Sequence, residues 1–321
     1  MNPYIERANE VVTPQPFSLN QSTAYTFVVK ADRDALQALV DRELNAPRNP
    51  AAGDLYYRVL SRRLLLMFTR IGRLASTNPP ACDHGWGREI DVAYWALLGA
   101  GSVADGQFRL ERLVWFQPFI FVDNPWAMLG GREIYGFPKQ LCRATMPDTP
   151  DQPGSFSAET LVLDPFAPDT ELAWQQLIRI ERGLPAVGGP VPPPAASGGA
   201  ALLRHLLQDD EAPVIPTLHL LEALLQQLIT RESSSVFLKQ FRDVTQPDRA
   251  CYQAVVEAPL KITRFHGFGL LPGPWQLTQY NYASQPLASA LGLASPQVPS
   301  LAFWLSFDSE IKTGTTTWQA P

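Results

Sequence analysis

Apolar positions along the chain follow two periods, and the switches between them mark the predicted elements. Thr23–Lys30, TAYTFVVK, is β-branched and aromatic and predicts a strand. From Ala31 to Leu44 the period changes. Ala35, Leu36, Leu39 and Val40 recur at helical spacing behind Asp32 and Asp34. Short apolar runs follow at Leu55–Leu60, Leu64–Phe68, Val92–Leu98 and Leu113–Val122. Turn-rich stretches such as Asn78-Pro79-Pro80 and Gly99–Gly106 separate them, predicting strands of a mainly antiparallel sheet. Ser155–Asp164 predicts a further strand. Glu171–Arg182 predicts a helix with Leu172, Gln175, Gln176 and Arg179 on mixed faces.

Gly183–Gly199, GLPAVGGPVPPPAASGG, has no apolar period and predicts a loop or linker. Ala200–Leu207 and Pro216–Arg231 predict helices. In the second, Leu218, Leu221, Leu225 and Leu228 form one stripe, as an ordinary core face does. Strands are expected again at Tyr252–Glu257, Leu260–Phe265 and Gln276–Tyr280. The chain reads as one domain over 1–321, with the 183–199 loop and a helical insertion at about 200–231.

Composition sharpens this picture in a few places. Proline, 30 of 321 residues, is well above the usual ~5%, which suits short strands and turns better than a helical bundle. A net charge of −5 argues against a nucleic-acid partner, which needs a basic face. Charged residues at 18% are below the usual ~25%, in keeping with some surface buried between subunits. The longest apolar run, Leu113–Val122, is broken by Gln117 and Pro118, whereas a membrane span needs ~20 apolar residues. Cys82, Cys142 and Cys251 form no CxxC pair or disulfide framework. The opening MNPYIERANE lacks the apolar core of a signal peptide. A cytoplasmic location is therefore expected.

Most familiar motifs are missing or fail on context. The histidines form no HExxH, and Cys82-Asp83-His84 offers three adjacent residues that rarely converge on one ion. Gly99–Ala104 matches GxGxxA, but the strand-like DGQFRLERLVWF follows where a dinucleotide site needs a helix, so a hairpin turn is expected. The informative stretch is Phe121–Met146, FVDNPWAMLGGREIYGFPKQLCRATM. It delivers Lys139 from among Tyr135, Phe137 and Pro138. A lysine so placed loses hydration, and desolvation disfavours its ammonium. The neutral amine is a nucleophile that forms Schiff bases with carbonyls. The plain alternative is a surface lysine snorkelling beside a turn.

Phe121-Val122-Asp123-Asn124-Pro125 and Gly131-Arg132-Glu133-Ile134-Tyr135-Gly136-Phe137-Pro138-Lys139 closely resemble the active-site segment of the acetoacetate decarboxylase superfamily. Phe27–Leu44 resembles its first strand and helix, and Gly273–Leu277 with Pro286-Leu287 its closing strands. The resemblance implies an α+β fold: a mainly antiparallel β-barrel or cone with peripheral helices, assembled as a homo-oligomer. Residue by residue, it implies that Lys139 is the Schiff-base lysine and Glu89 the best counterpart of the family's glutamate. The alternative for Glu89 is a strand-end surface charge. Arg132 and Glu133 would orient the lysine loop, with Arg132 the better placed to meet a carboxylate. Tyr135, Phe137 and Gln140 complete the substrate-binding or orienting set. Three departures bear on the substrate. Gln140 stands where the decarboxylases carry a second lysine, the family's substrate arginine would fall near Ser22, and a further glutamate would fall in the apolar Leu64–Phe68.

The implied function is a lysine-dependent lyase acting on a small keto acid, decarboxylating a β-keto acid through an iminium. That chemistry requires no metal or organic cofactor. Two alternatives stay open: aldol, dehydration or retro-aldol chemistry on an α-keto acid through the same lysine, and a keto-acid-binding protein without turnover.

Overall fold

Strands that are apolar at every position, such as Leu64–Phe68, bury both faces. That is how this chain is built. The computed structural model describes residues 3–7, 12–49, 54–104, 106–151, 154–182, 232–271 and 273–321. Among them the order is β1 (Phe17–Lys30), α1 (Arg33–Val40), β2 (Leu55–Ser76), β3 (Gly87–Ala104), β4 (Gln107–Val122), α2 (Pro125–Gly130), β5 (Lys139–Thr145), β6 (Phe156–Val162), β7 (Ala173–Arg182), β8 (Glu232–Arg242), β9 (Ala250–Leu270), β10 (Trp275–Gln279), α3 (Leu287–Leu291), β11 (Leu301–Ile311) and β12 (Thr315–Gln319).

The fold is mostly strand, of the α+β class. The central strands pair in the order β4-β3-β2-β1-β11-β9, all antiparallel. β8 pairs antiparallel with β9 and touches β4 in parallel at Trp115↔Ser235 and Phe116↔Val236. That short contact brings the strands round into an uneven ring, where the resemblance implied a barrel or cone. Beyond β4, β5 runs parallel to it, and β6, β7 and β10 extend the sheet antiparallel.

The two faces of β2 and β3 do different work. Leu64, Leu66, Phe68, Val92 and Tyr94 turn outward into the main core, against β6, β7, β10, α1 and α3. Phe156 sits among Phe27 and Phe68 with ring centroids 5.0 and 5.4 Å away. The alternate residues Leu65, Met67, Glu89, Asp91 and Trp95 turn inward and line a cavity. Helix α1 closes one flank with Leu36, Leu39 and Val40. It is capped by Asp32, which accepts from the Ala35 amide at 2.8 Å.

Several expectations need correction. Glu171–Arg182 is not a helix: Ala173–Arg182 is β7, paired with β6 and β10. Its Ile178 and Ile180 are buried while Arg179 and Glu181 face out, so sheet pairing overrides the helix propensity of its glutamines. Leu55–Leu60 and Leu64–Phe68 are one strand, with a register shift between Val59 and Leu64 that absorbs Ser61-Arg62-Arg63. Tyr252–Glu257 and Leu260–Phe265 likewise join in β9. Gly99–Ala104 belongs to β3, and the hairpin turns later, between Ala104 and Gln107. Pro286-Leu287 leads into α3, not into a strand. The loop expected at 183–199 and the helical insertion at about 200–231 lie outside the described residues. Among the described residues no helix is long and apolar enough to cross a membrane.

Candidate active site

Lys139 is placed by a short chain of local constraints. Asn124 caps α2, accepting from the Trp126 amide at 2.9 Å, with Pro125 in the first turn, where its missing N–H costs nothing. A π-helical turn, Gly131–Tyr135, continues α2 and ends at Gly136, whose φ of 75° is left-handed. A Cβ at Gly136 would lie 2.5 Å from the Lys239 Cα, so glycine answers two demands there. The Phe137 amide then donates to the Gly131 carbonyl at 3.1 Å, and the Lys139 amide to the Phe137 carbonyl at 2.7 Å across Pro138. Arg132 Nη1 donates to the Lys139 carbonyl at 3.0 Å. Lys139 opens β5, paired with Ile120 of β4. Gly131 leaves room for its stem, since a Cβ there would come within 2.8 Å of the Lys139 Cδ.

The partner strand is fixed by the same segment. Asp123 Oδ1 accepts from the Ile90 amide at 2.7 Å, and Asn124 Nδ2 donates to the Arg88 carbonyl at 2.7 Å. Both bonds flank Glu89. Its side chain, 2% accessible, meets Lys139 Nζ at 2.6 Å. Asp91 follows on the same face of β3, and its Oδ2 is 4.0 Å from the same nitrogen. Burial pushes the Asp91 carboxyl up to about 7. Lys139 opposes the rise, and the neighbouring Glu89 and Asp123 reinforce it. The ammonium thus stands between two carboxylates, one of which takes up a proton near neutrality.

These groups form the polar head of a cavity of about 250 Å³. Tyr135 and Phe137 line it beside Lys139, stacked with centroids 4.9 Å apart. The Lys139 Nζ is 5.8 Å from the Phe137 ring centre. The Tyr135 hydroxyl donates to the Lys312 carbonyl at 2.9 Å, and burial pushes its phenol pKa up. Gln117 and Ser235 add a buried polar pair, Nε2 to Oγ at 2.8 Å.

The acetoacetate decarboxylase (ADC) family profile matches residues 84–159, a segment that includes both Glu89 and Lys139. The match covers about a quarter of the chain, and solved structures of low identity share its fold. Its fold is similar to that of acetoacetate decarboxylase from Legionella pneumophila subsp. pneumophila str. Philadelphia 1. That match has TM-score 0.59 and 14% identity, and covers 98% of this chain and 92% of the other. The enduracididine biosynthesis enzyme MppR complexed with pyruvate matches with TM-score 0.53 and 12% identity over 96% and 93% of the two chains. An acetoacetate decarboxylase-like enzyme from Sphingomonas wittichii RW1 matches with TM-score 0.51 and 13% identity over 95% and 93%. No curated protein sequence matches the chain.

The residues singled out from sequence divide. Lys139, Glu89, Tyr135 and Phe137 come together at the cavity. Arg132 holds the lysine's backbone and does not line the cavity. Glu133 also lies off it, accepting from the Tyr4 hydroxyl at 2.7 Å. Gln140 does not line the cavity. Strand alternation turns it to the opposite face of β5 from Lys139, where it pairs with Gln285. Ser22, where a substrate arginine was sought, lines the cavity and donates to the Leu19 carbonyl at 3.3 Å. Asp91 stands beside Lys139 without having been among the residues singled out from sequence. Its two-residue spacing from Glu89 in a strand was the available signal.

Proposed function

We propose that the protein is a lyase that forms a Schiff base between Lys139 and the ketone of a keto acid, and that it decarboxylates a β-keto acid. The observation that carries this reading is the buried Lys139 Nζ at the head of the cavity, 2.6 Å from Glu89. Glu89 is within reach of the proton the ammonium must lose. The amine then adds to the ketone carbon, and the carbinolamine loses water to give an iminium. The iminium draws in the electron pair of the breaking carbon–carbon bond as CO2 departs, leaving an enamine. Asp91, whose carboxyl titrates near 7, suits the return of a proton to the enamine carbon. Water then hydrolyses the new iminium, releasing ketone and free lysine. The burial of Glu89 and Lys139 limits stray protonation and premature hydrolysis.

The test is reduction with borohydride in the presence of acetoacetate, pyruvate and other keto acids. A mass-tagged adduct is expected on Lys139 and not on Lys30, Lys239, Lys261 or Lys312, and it should vanish in Lys139→Ala. No adduct with any keto acid would leave the binding-protein alternative.

A second reading keeps the iminium and changes the bond that breaks. MppR, similar in fold, has been obtained with the condensation product of pyruvate and imidazole 4-carboxaldehyde. Two carboxylates beside one lysine also suit proton removal next to an iminium. Aldol or retro-aldol turnover of an α-keto acid would yield no CO2, so measuring evolved CO2 separates the two.

A further inference from the structure

The cavity is far longer than a small keto acid needs. Glu89, Asp91 and Trp95 lie on one face of β3, opposite Ile71, Thr69 and Leu65 of β2. Six residues of strand from Glu89 to Trp95 span roughly 20 Å at ~3.4 Å each. Polar groups crowd the Lys139 end. The far end is walled by Leu65, Met67, Trp95, Trp115 and Leu305, with the two indoles edge to face at 6.1 Å. No arginine or histidine is among the described residues that line the cavity, and Lys139 is their one cation. A second carboxylate on the substrate would therefore meet no counter-charge along the walls. A three- or four-carbon acid would fill only the head and leave water against aliphatic and indole surface.

We infer that the substrate carries a long apolar acyl chain: its carbonyl sits at Lys139 and its tail runs along β2 and β3 to end against Trp95 and Trp115. The inference rests on Lys139 being the site of carbonyl chemistry, and it replaces a small keto acid with a β-keto acid of medium or long chain. The walls give such a chain a graded fit. Thr69 lies at the head beside Asp91, while the Gln117 amide and Ser235 hydroxyl, level with Trp115, bond each other and leave hydrocarbon and aromatic surface as the rest of the far wall. Each methylene moved from water into that apolar stretch multiplies affinity by about four.

The test is a chain-length series of acetoacetate, β-ketohexanoate, β-ketooctanoate and β-ketolaurate, read by borohydride trapping on Lys139 and by the rate of CO2 release. The expected result is kcat/KM rising about fourfold per added methylene until the tail reaches the tryptophans. A flat or falling series overturns the inference and leaves the Schiff-base reading intact. Met67→Trp, which shortens the tail space, should cut the preference for β-ketooctanoate over acetoacetate by tenfold or more. An unchanged ratio places the chain elsewhere and overturns the assignment. Should nothing label Lys139, the Schiff-base reading fails separately. Calorimetry with methyl ketones from acetone to undecanone then decides the present point. Affinity that climbs with chain length sustains it, and uniform or absent binding overturns it.

Discussion

Asp91 approaches Lys139 from the same face of β3 as Glu89, its Oδ2 4.0 Å from the ammonium. The carboxyl is raised to about 7 chiefly by burial. An acid whose folded pKa exceeds its unfolded value binds a proton on folding, so its contribution to stability falls as pH rises from about 4 through about 7. Asn cannot ionise. The melting temperature of Asp91→Asn should therefore gain on that of the wild type across this interval and hold its lead above it. A constant gap between the two curves would mean that the carboxyl is not shifted. The same variant should remove the limb of the rate profile near 7 if Asp91 returns the proton.

The Lys139–Glu89 pair predicts a thermodynamic cycle. Lys139→Met leaves Glu89 buried without its partner and should cost about 3–5 kcal/mol in urea denaturation. Adding Glu89→Gln should recover much of that loss, because the uncompensated charge is gone. Equal destabilisation in the single and double variants would show that the pair is not coupled. In turnover, Glu89→Gln alone should lose roughly 10²-fold or more.

Gln140 gives a negative control with a geometric reason. It pairs with Gln285 on the face away from the cavity, so a cation introduced there is screened from the lysine by β5 itself. Gln140→Lys should leave the pH dependence of borohydride trapping unmoved while losing about 1 kcal/mol of stability from the broken amide pair. A downward shift of the trapping profile would place the two side chains on one side after all.

Arg132 bonds the Lys139 carbonyl through one arm of its guanidinium. Lysine keeps the charge and loses the rigid fork. Arg132→Lys should therefore lower kcat by up to about 10²-fold through misplacement of the amine, since an error of about an ångström can cost that much. KM should change little. A rise in KM alone would assign Arg132 to the substrate instead.

The lysine segment was legible because its chemistry is local. Gly131, Gly136 and Pro138 leave the backbone few choices, and the apolar neighbours sit beside Lys139 in sequence. Glu89 was reachable only through the resemblance, since fifty residues separate it from Lys139 and no local pattern joins them. Asp91 offered no local signal of its own, because its raised pKa comes from burial beside Lys139, Glu89 and Asp123, which only the folded chain brings together. The misread helix at Glu171–Arg182 has the same origin. Its outward Arg179 and Glu181 and its glutamines carry helix propensity, and only the pairing of Ile178 and Ile180 with distant strands settles the matter. The uneven ring was likewise invisible, because it depends on the brief contact of β4 with β8.

The alternation along β2 and β3 separates two things that usually change together. At positions 65, 67 and 95 the chain meets whatever occupies the chamber, whereas at 64, 66, 68, 92 and 94 it meets its own hydrophobic interior. A lineage, or an engineer, can thus remodel the guest by working on odd-numbered positions while the even-numbered ones keep the house standing. Libraries confined to Leu65, Met67 and Trp95 should yield altered chain selectivity with few unfolded members. The same diversity shifted by one residue should yield mostly collapse.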